Sequence, residues 1–322
     1  MNDNTSLSLL VVATKKKIAE DIFLFELMHP QGEALPTFTA GAHLPIKTPS
    51  GAMRQYSLCG APADTDRYWI AVKRESEGRG GSISMTDQLS AGDVIQVGSP
   101  QNLFELSDKA KSFIFIAGGI GITPMMSMIK QLQATEDARP FRLYYLSRTP
   151  EGAAFVDELS ASEFSGKVKI HHTHGDSSQS FDLWPVLEKS SNGTHVYCCG
   201  PTRLMDCVRD MTGHWPQSAI HFESFGADTK PRTDDQPFDV ILGQSNKTIH
   251  VQKNQTLLEA LTKGGCHVPS SCESGTCGSC KVRLLQGNVD HRDLVLMPEE
   301  KDEFIMVCVS RSKNGEAITI DL

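Results

Sequence analysis

The chain has 322 residues, 39% of them hydrophobic, with 26 glycines and 16 prolines. That size exceeds a single core and predicts two or three ordinary globular domains, not a disordered chain. A formal net charge of −8 gives no support for nucleic-acid binding, and nine cysteines in so long a chain, two of them adjacent at Cys198 and Cys199, do not read as a disulfide framework.

A reducing cytoplasm is the expected setting. The stretch from Met1 to Ser6 lacks a basic n-region and an apolar core, so no signal peptide is expected. The longest apolar run, around Phe113 to Ile122, carries glycines and is too short to span a bilayer. A soluble monomer without nucleic-acid or membrane partners is the expectation.

Residues 1–105 read as short apolar runs broken by turns, the pattern of an antiparallel β-barrel or sandwich. One helix is predicted to start near Ser82 or Ser84 and run through Leu89. Two motifs carry chemistry here. In Arg54-Gln-Tyr56-Ser57, alternation puts Arg54 and Tyr56 on one strand face, where a guanidinium can take a phosphate bidentately and a phenol ring can lie against a flat heterocycle. In Gly78-Arg79-Gly80-Gly81-Ser82-Ile83-Ser84, a glycine-rich turn leads into the helix, and bare amides there form an anion nest. Either motif alone is more often an ordinary strand or turn; together they offer one cation and one nest, enough for a single phosphate.

Residues 106–228 open with Ser112-Phe-Ile-Phe-Ile-Ala117, a continuous apolar run expected of a parallel strand covered on both faces. Gly118-Gly119-Ile120-Gly121-Ile122-Thr123-Pro124 and a helix follow, a phosphate-cradling unit with proline in the first helical turn. The third glycine of the dinucleotide fingerprint is missing. No acidic residue ends the next strand, whose last residues are Ser147 and Arg148. Those two could meet a 2′-phosphate and so favour NADPH. Strands are predicted at 167–172 and 195–199, the second entering Cys199-Gly200-Pro201 and a helix over 202–211. His171, His172 and His174 tempt a metal reading, but consecutive strand residues face opposite ways and no carboxylate pair completes a site.

Residues 229–236 are a polar, proline-bearing linker, and 237–322 form a third domain. Strands are expected at 238–242 and 248–251, a helix at 256–263, and closing strands near 281–285 and 317–322, a small α+β module. Its centre is Cys272, Cys277, Cys280 and, after 27 intervening residues, Cys308. This is the plant-type ferredoxin spacing for a [2Fe–2S] cluster, which needs four thiolates. Gly275 and Gly278 suit a loop that must turn its amides inward, because glycine reaches positive φ without a clash. A structural zinc site in a non-catalytic binding protein competes, yet only Cys277 and Cys280 have the C-x2-C knuckle form. A set of buried thiols is the other alternative.

The motifs RQYSLCG, GRGGSIS, AGGIGITPM, YCCGP, FESFG, PSSCESGTCGSCK and MVCVSR together resemble the ferredoxin–NADP reductase superfamily and, more closely, its phthalate dioxygenase reductase family, from end to end. The resemblance implies three parts: an antiparallel β-barrel flavin domain, an α/β parallel-sheet nicotinamide domain and an α+β ferredoxin domain. It implies FMN held by Arg54, Tyr56, Ser57, the strand Ala71-Val72-Lys73, and Gly80, Gly81, Ser82 and Ile83, with Phe225 near the flavin ring. NADH would bind at Gly118, Gly119, Gly121, Thr123, Cys199, Gly200 and Pro201, with Thr123 and Cys199 beside the reacting atoms. Asp176 would lie toward the adenosine end. The [2Fe–2S] cluster would bind Cys272, Cys277, Cys280 and Cys308.

Hydride transfer moves two electrons and a [2Fe–2S] cluster takes one, so the implied order is NADH to FMN to cluster to an external acceptor. Plant-type clusters lie near about −400 mV and Rieske centres at roughly −150 mV or above. The difference of ~250 mV is about four decades of equilibrium constant at ~59 mV each. A Rieske centre would therefore pull electrons forward, and the resemblance implies a Rieske-type aromatic-ring dioxygenase as the partner; the alternative is the same chemistry serving another acceptor, such as an O-demethylase oxygenase. No general acid or base is nominated.

Overall fold

The computed structural model describes residues 7–78, 80–134, 139–225, 234–270, 275, 278–293 and 295–322. Cys272, Cys277 and most of the predicted linker lie outside the described residues. The chain forms two compact units that part between Ser224 and Phe225.

The first unit begins with β1 (Ser8–Ala19), β2 (Ile22–Met28), β3 (His43–Lys47), β4 (Met53–Ser57), β5 (Arg67–Lys73), α1 (Gly81–Gln88) and β6 (Val94–Val97). The six strands form one antiparallel sheet in the order β4-β3-β6-β1-β2-β5. Alternation turns Leu10, Val12, Phe25, Leu27, Leu44 and Ile46 into a common interior. The edges of the sheet meet where Leu58 bridges Ile70 and the Cys59 N–H donates to the Trp69 carbonyl at 2.9 Å, so the sheet curls into a barrel. Helix α1 starts one residue earlier than the sequence predicts, because Gly80 caps it at φ 82° and admits Gly81 to the first turn. At its other end Lys15 Nζ donates to the carbonyls of Thr86 (2.6 Å) and Leu89 (2.7 Å), a cation on the negative end of the helix.

The unit continues with β7 (Ser112–Gly118), α2 (Ile122–Ala134), β8 (Phe141–Ser147), the short α3 (Val156–Leu159), β9 (Val168–His172), the short α4 (Trp184–Leu187), β10 (Thr194–Cys199), α5 (Thr202–Met211) and β11 (Ile220–Glu223). All five strands are parallel, in the order β11-β10-β7-β8-β9. The apolar run of β7 lies at the centre, as its composition requires. From β7 the chain moves to β8 on one side and later to β10 on the other. That reversal creates a crevice at the carboxyl ends of β7 and β10, where ligands of open α/β sheets bind. Residues of α2 (Met125, Met126, Ile129) share one core with Ile22, Cys59 and Ala71 of the barrel half, which joins barrel and parallel sheet into a single unit.

The second unit contains β12 (Phe238–Leu242), β13 (Thr248–Val251), α6 (Leu257–Lys263), β14 (Lys281–Gln286), β15 (Val289–Asp290), β16 (Phe304–Met306), β17 (Arg311–Ser312) and β18 (Ile318–Ile320). Its main sheet runs β13-β12-β18-β14-β16, and β15 pairs with β17. A capping box starts α6: Thr256 Oγ1 accepts the Glu259 N–H and Glu259 Oε2 accepts the Thr256 N–H, both at 3.1 Å, worth about 1 kcal/mol. Asp235 and Gln236, which the sequence places in the linker, are held by this unit. Arg292 pairs with the buried Asp235, and Arg311 Nη2 donates to the Gln236 carbonyl at 2.9 Å. Among the described residues, no helix is long and apolar enough to cross a membrane.

Candidate functional site

The first half of the site is where Arg54 of β4 meets the first turn of α1. A Cβ built on Gly81 would stand 2.9 Å from Arg54 Nε, so a side chain there would have to displace the arginine from the first turn of α1. The leading amides of an α-helix have no partner within the helix; here they lie beside a cation, which is the donor set a phosphate needs. Ser82 fixes the turn by accepting the Glu75 N–H on its hydroxyl at 3.1 Å. Tyr56 is half-buried, and burial raises its phenol above the usual range while Arg54 pulls it the other way. The side chains of Ala71 and Val72 are consumed by the cores, so what β5 can offer a ligand is backbone: its outer edge is bridged only as far as Ile70 among the described residues. Lys73 pairs with Glu75 at 2.6 Å.

The second half is the crevice at β7 and β10. A Cβ on Gly121 would fall 2.2 Å from the Cys199 carbonyl oxygen, and one on Gly118 would fall 2.7 Å from Pro201 Cδ. The two loops are thus backbone against backbone, bringing Gly118, Gly121, Cys199, Gly200 and Pro201 together; Gly119 joins them at φ 55°. Thr123 is buried, and its hydroxyl donates to the Ile120 carbonyl at 3.0 Å, locking the start of α2. Cys199 is fully buried, and burial, then Glu223 and Cys198, push its thiol well above the ordinary value. It stays protonated, a packing surface and not a nucleophile.

Glu223 is the site residue that sequence reasoning missed. It ends β11 in register with Cys199, and burial pushes its carboxyl up to about 8. The Ser57 hydroxyl, at the end of β4, is its polar neighbour. Ser57 Oγ and Glu223 Oε2 are both sealed from solvent, and the geometry closes no hydrogen bond to either among the described residues. Two orphaned polar atoms between β4 and the turn after β10 are what a bound heterocycle with amide-like edges would satisfy. The available signal was one acidic residue closing an otherwise uncharged strand within FESFG.

Toward the far side of the parallel sheet, the Ser147 hydroxyl donates to the Thr149 carbonyl at 3.0 Å and lies 2.7 Å from His172 Nδ1. It is therefore not free to receive a 2′-phosphate, and Arg148 beside it is exposed. His171 Nε2 lies 2.7 Å from the Gln179 carbonyl, so His171 and His172 each have a ring nitrogen engaged in packing. Asp176 accepts the Ser178 N–H (2.8 Å) and hydroxyl (2.7 Å), which hold its carboxyl below the usual range in its own turn.

In the second unit, Cys280 and Cys308 are buried in one apolar core, and the Val307 N–H donates to the Cys280 carbonyl at 3.3 Å, joining the two cysteine segments. Gly275 and Gly278 adopt φ 72° and 81°, the left-handed turns the loop was expected to need. Two buried thiols and two glycines at positive φ fit a [2Fe–2S] cluster, and Cys272 and Cys277, the other two ligands expected for it, lie outside the described residues. Phe225 opens this unit with 43% of its surface exposed.

Three family profiles match: an oxidoreductase FAD-binding domain over residues 9–106, an oxidoreductase NAD-binding domain over 115–210, and a 2Fe-2S iron-sulfur cluster binding domain over 240–313. The chain is 56% identical over 309 residues to the phthalate dioxygenase reductase of Burkholderia cepacia, covering 96% of each. It is 53% identical over 313 residues to the phthalate 4,5-dioxygenase oxygenase reductase subunit of Pseudomonas putida, covering 97% of this chain and 96% of that one. A solved phthalate dioxygenase reductase, described as a modular structure for electron transfer from pyridine nucleotides to [2Fe–2S], superposes with a TM-score of 0.89 at 55% identity and covers 98% of both chains.

Proposed function

The chain belongs to the phthalate dioxygenase reductase family, and from that premise we propose how its residues serve the electron path of an oxygenase system. The protein is an NADH-dependent oxidoreductase that carries FMN and a [2Fe–2S] cluster and delivers electrons to an oxygenase component. Bound FMN supplies the conversion between a two-electron donor and a one-electron outlet.

The chain's own residues do the rest. Arg54 and the Gly80–Ile83 amides hold the phosphate. Ser57 and Glu223 present a hydroxyl and a carboxyl that keeps its proton at neutral pH, since it is pushed up to about 8. Gly118, Gly119, Gly121 and the Cys199-Gly200-Pro201 turn seat the nicotinamide nucleotide. The un-ionised Cys199 thiol and Thr123 form a dry wall beside it, which excludes water from the hydride path. The engaged Ser147 hydroxyl agrees with NADH as donor. Cys272, Cys277, Cys280 and Cys308 hold the cluster. The domains are taken as 1–105, 106–228 and 237–322 with 229–236 between them, and the molecule as a cytoplasmic monomer.

The observation that carries this reading is the meeting of Ser57, Cys199 and Glu223, which come from the flavin strand, the nicotinamide loop and the strand beside it. The acceptor favoured is a Rieske-type ring dioxygenase, because the relatives named for phthalate systems are 53% and 56% identical. A vanillate O-demethylase oxidoreductase from a Pseudomonas strain is 35% identical, and O-demethylase service is the second reading. An anaerobic NADH titration, followed by visible absorbance with iron, sulfide and flavin analysis, tests the core of the proposal. Bleaching of both chromophores is expected; protein isolated in native form without flavin or without acid-labile sulfide would sink it.

A further inference from the structure

A buried carboxylate joins the turn at Val295 and Leu296, which packs against Gly278, to the segment that carries Cys308. The Asp293 side chain has 0% exposure. Its Oδ2 accepts the backbone N–H of Leu296 at 2.8 Å and of Val295 at 3.2 Å. Its Oδ1 accepts the Ser310 hydroxyl at 3.3 Å, and Ser310 Oγ accepts the Arg292 N–H at 3.2 Å. Val295 in turn lies against the cysteine loop: its Cγ1 is 3.5 Å from where Gly278 would carry a Cβ. Leu296 packs in the core that contains Cys280 and Cys308. Ser310 follows Cys308 by two residues.

An aspartate that only closed its own turn would need one oxygen for the amides at 295 and 296. Here the second oxygen reaches a different segment, the one that delivers Cys308. We propose that Asp293 is a positioning residue for the iron–sulfur ligands, holding the Gly278–Cys280 turn and the Cys308 segment at a fixed separation. The proposal rests on the cluster reading above. Its physical basis is that a four-donor site binds tightly only when the donors are held in place before the metal arrives, and outer partners do that holding.

The test uses the full-length holoprotein with Asp293→Ala, Asp293→Asn and Ser310→Ala, kept anaerobic. The measurements are iron and sulfide per chain, the rate of iron release to a chelator well below the melting temperature, and the electron paramagnetic resonance line shape of the dithionite-reduced cluster. Asp293→Ala is expected to release iron about tenfold faster or more and to alter the line shape. Asp293→Asn, which keeps an acceptor for Leu296 and a polar partner for Ser310, should restore both, and Ser310→Ala should fall between. Flavin content and flavin bleaching by NADH should be unchanged in all three. Iron release from Asp293→Ala at the wild-type rate overturns the proposal, as does faster release that follows only a lowered melting temperature with an unchanged line shape. If Asp293→Ala accumulates no cluster, Ser310→Ala decides: wild-type release and line shape there overturn it. Wild-type protein lacking iron and sulfide would instead remove the cluster reading, and this proposal with it.

Discussion

Gly81 and Arg54 share one small volume: a methyl group on Gly81 would stand 2.9 Å from Arg54 Nε and 3.1 Å from its Cγ. On the proposed reading the first turn of α1 and the β4 guanidinium would serve the same phosphate, and each should matter to flavin affinity more than to the fold. Arg54→Ala removes a charge-assisted contact and is expected to weaken FMN binding by about 10- to 100-fold, the equivalent of roughly 1.5–3 kcal/mol. Gly81→Ala should displace the guanidinium and weaken binding by about tenfold. Fluorescence titration of deflavinated protein with FMN checks both, and dissociation constants equal to wild type would remove the cradle from the site.

Burial decides which thiols react. Cys207 is exposed, whereas Cys59 and Cys198 are buried and pushed up to about 12, and Cys199 is raised well above the ordinary thiol. At pH 8 iodoacetamide is expected to label Cys207 and to leave Cys59, Cys198 and Cys199 unmodified, because the thiolate is the reactive form. Peptide mass spectrometry of briefly treated holoprotein reads the result. Rapid labelling of Cys199 would mean that the crevice carries a thiolate and that the dry-wall role is mistaken.

Much of this arrangement was legible because it is local. The cysteine spacing, the strand–glycine–helix unit at β7, and the bounds of β12 and β13 depend on neighbours within a few residues. Glu223 escaped because all four residues of β11 are half-buried. No alternation marks an inward face there, and the partners Ser57 and Cys199 are distant in sequence. The contact between Arg54 and Gly81 was invisible for the same reason, although both motifs were recognised separately. The sequence offered Ser147 as a phosphate ligand. Only the register of β8 beside β9, which pairs Ser147 with His172, shows that its hydroxyl is already used.

The nicotinamide crevice should tolerate no side chain at residue 121. A Cβ there would meet the Cys199 carbonyl oxygen at 2.2 Å and the Gly200 nitrogen at 2.9 Å, which are backbone atoms that cannot swing away. Gly121→Ala must spread β7 from β10 at the end proposed to seat the dinucleotide. The expected result is a rise of about tenfold or more in the KM for NADH with FMN affinity unchanged, alongside a stability loss of about 1–3 kcal/mol from overpacking. Steady-state reduction of ferricyanide at varied NADH, paired with an FMN titration, separates the two sites. An unchanged KM would place the nucleotide elsewhere.

Glu223 gives the molecule a pH dependence of defined sign. Its folded-state value, about 8, lies above the ordinary 4.5, so the folded protein holds a proton that the unfolded chain releases. The stability linked to that proton is fully present below about 4.5 and is lost as the pH rises through about 8. Glu223→Gln keeps the shape and the neutral charge at every pH and should abolish this component, worth about 1–3 kcal/mol after allowance for relaxation of the buried group. Thermal unfolding of flavin-loaded protein at pH 6 and pH 8.5, followed by flavin fluorescence, is the measurement. The wild type should lose several degrees relative to the Gln variant between the two conditions. Parallel curves would show that the Glu223 carboxyl is already ionised at neutral pH, and the protonated acid would then have to be withdrawn from the space between Ser57 and Cys199.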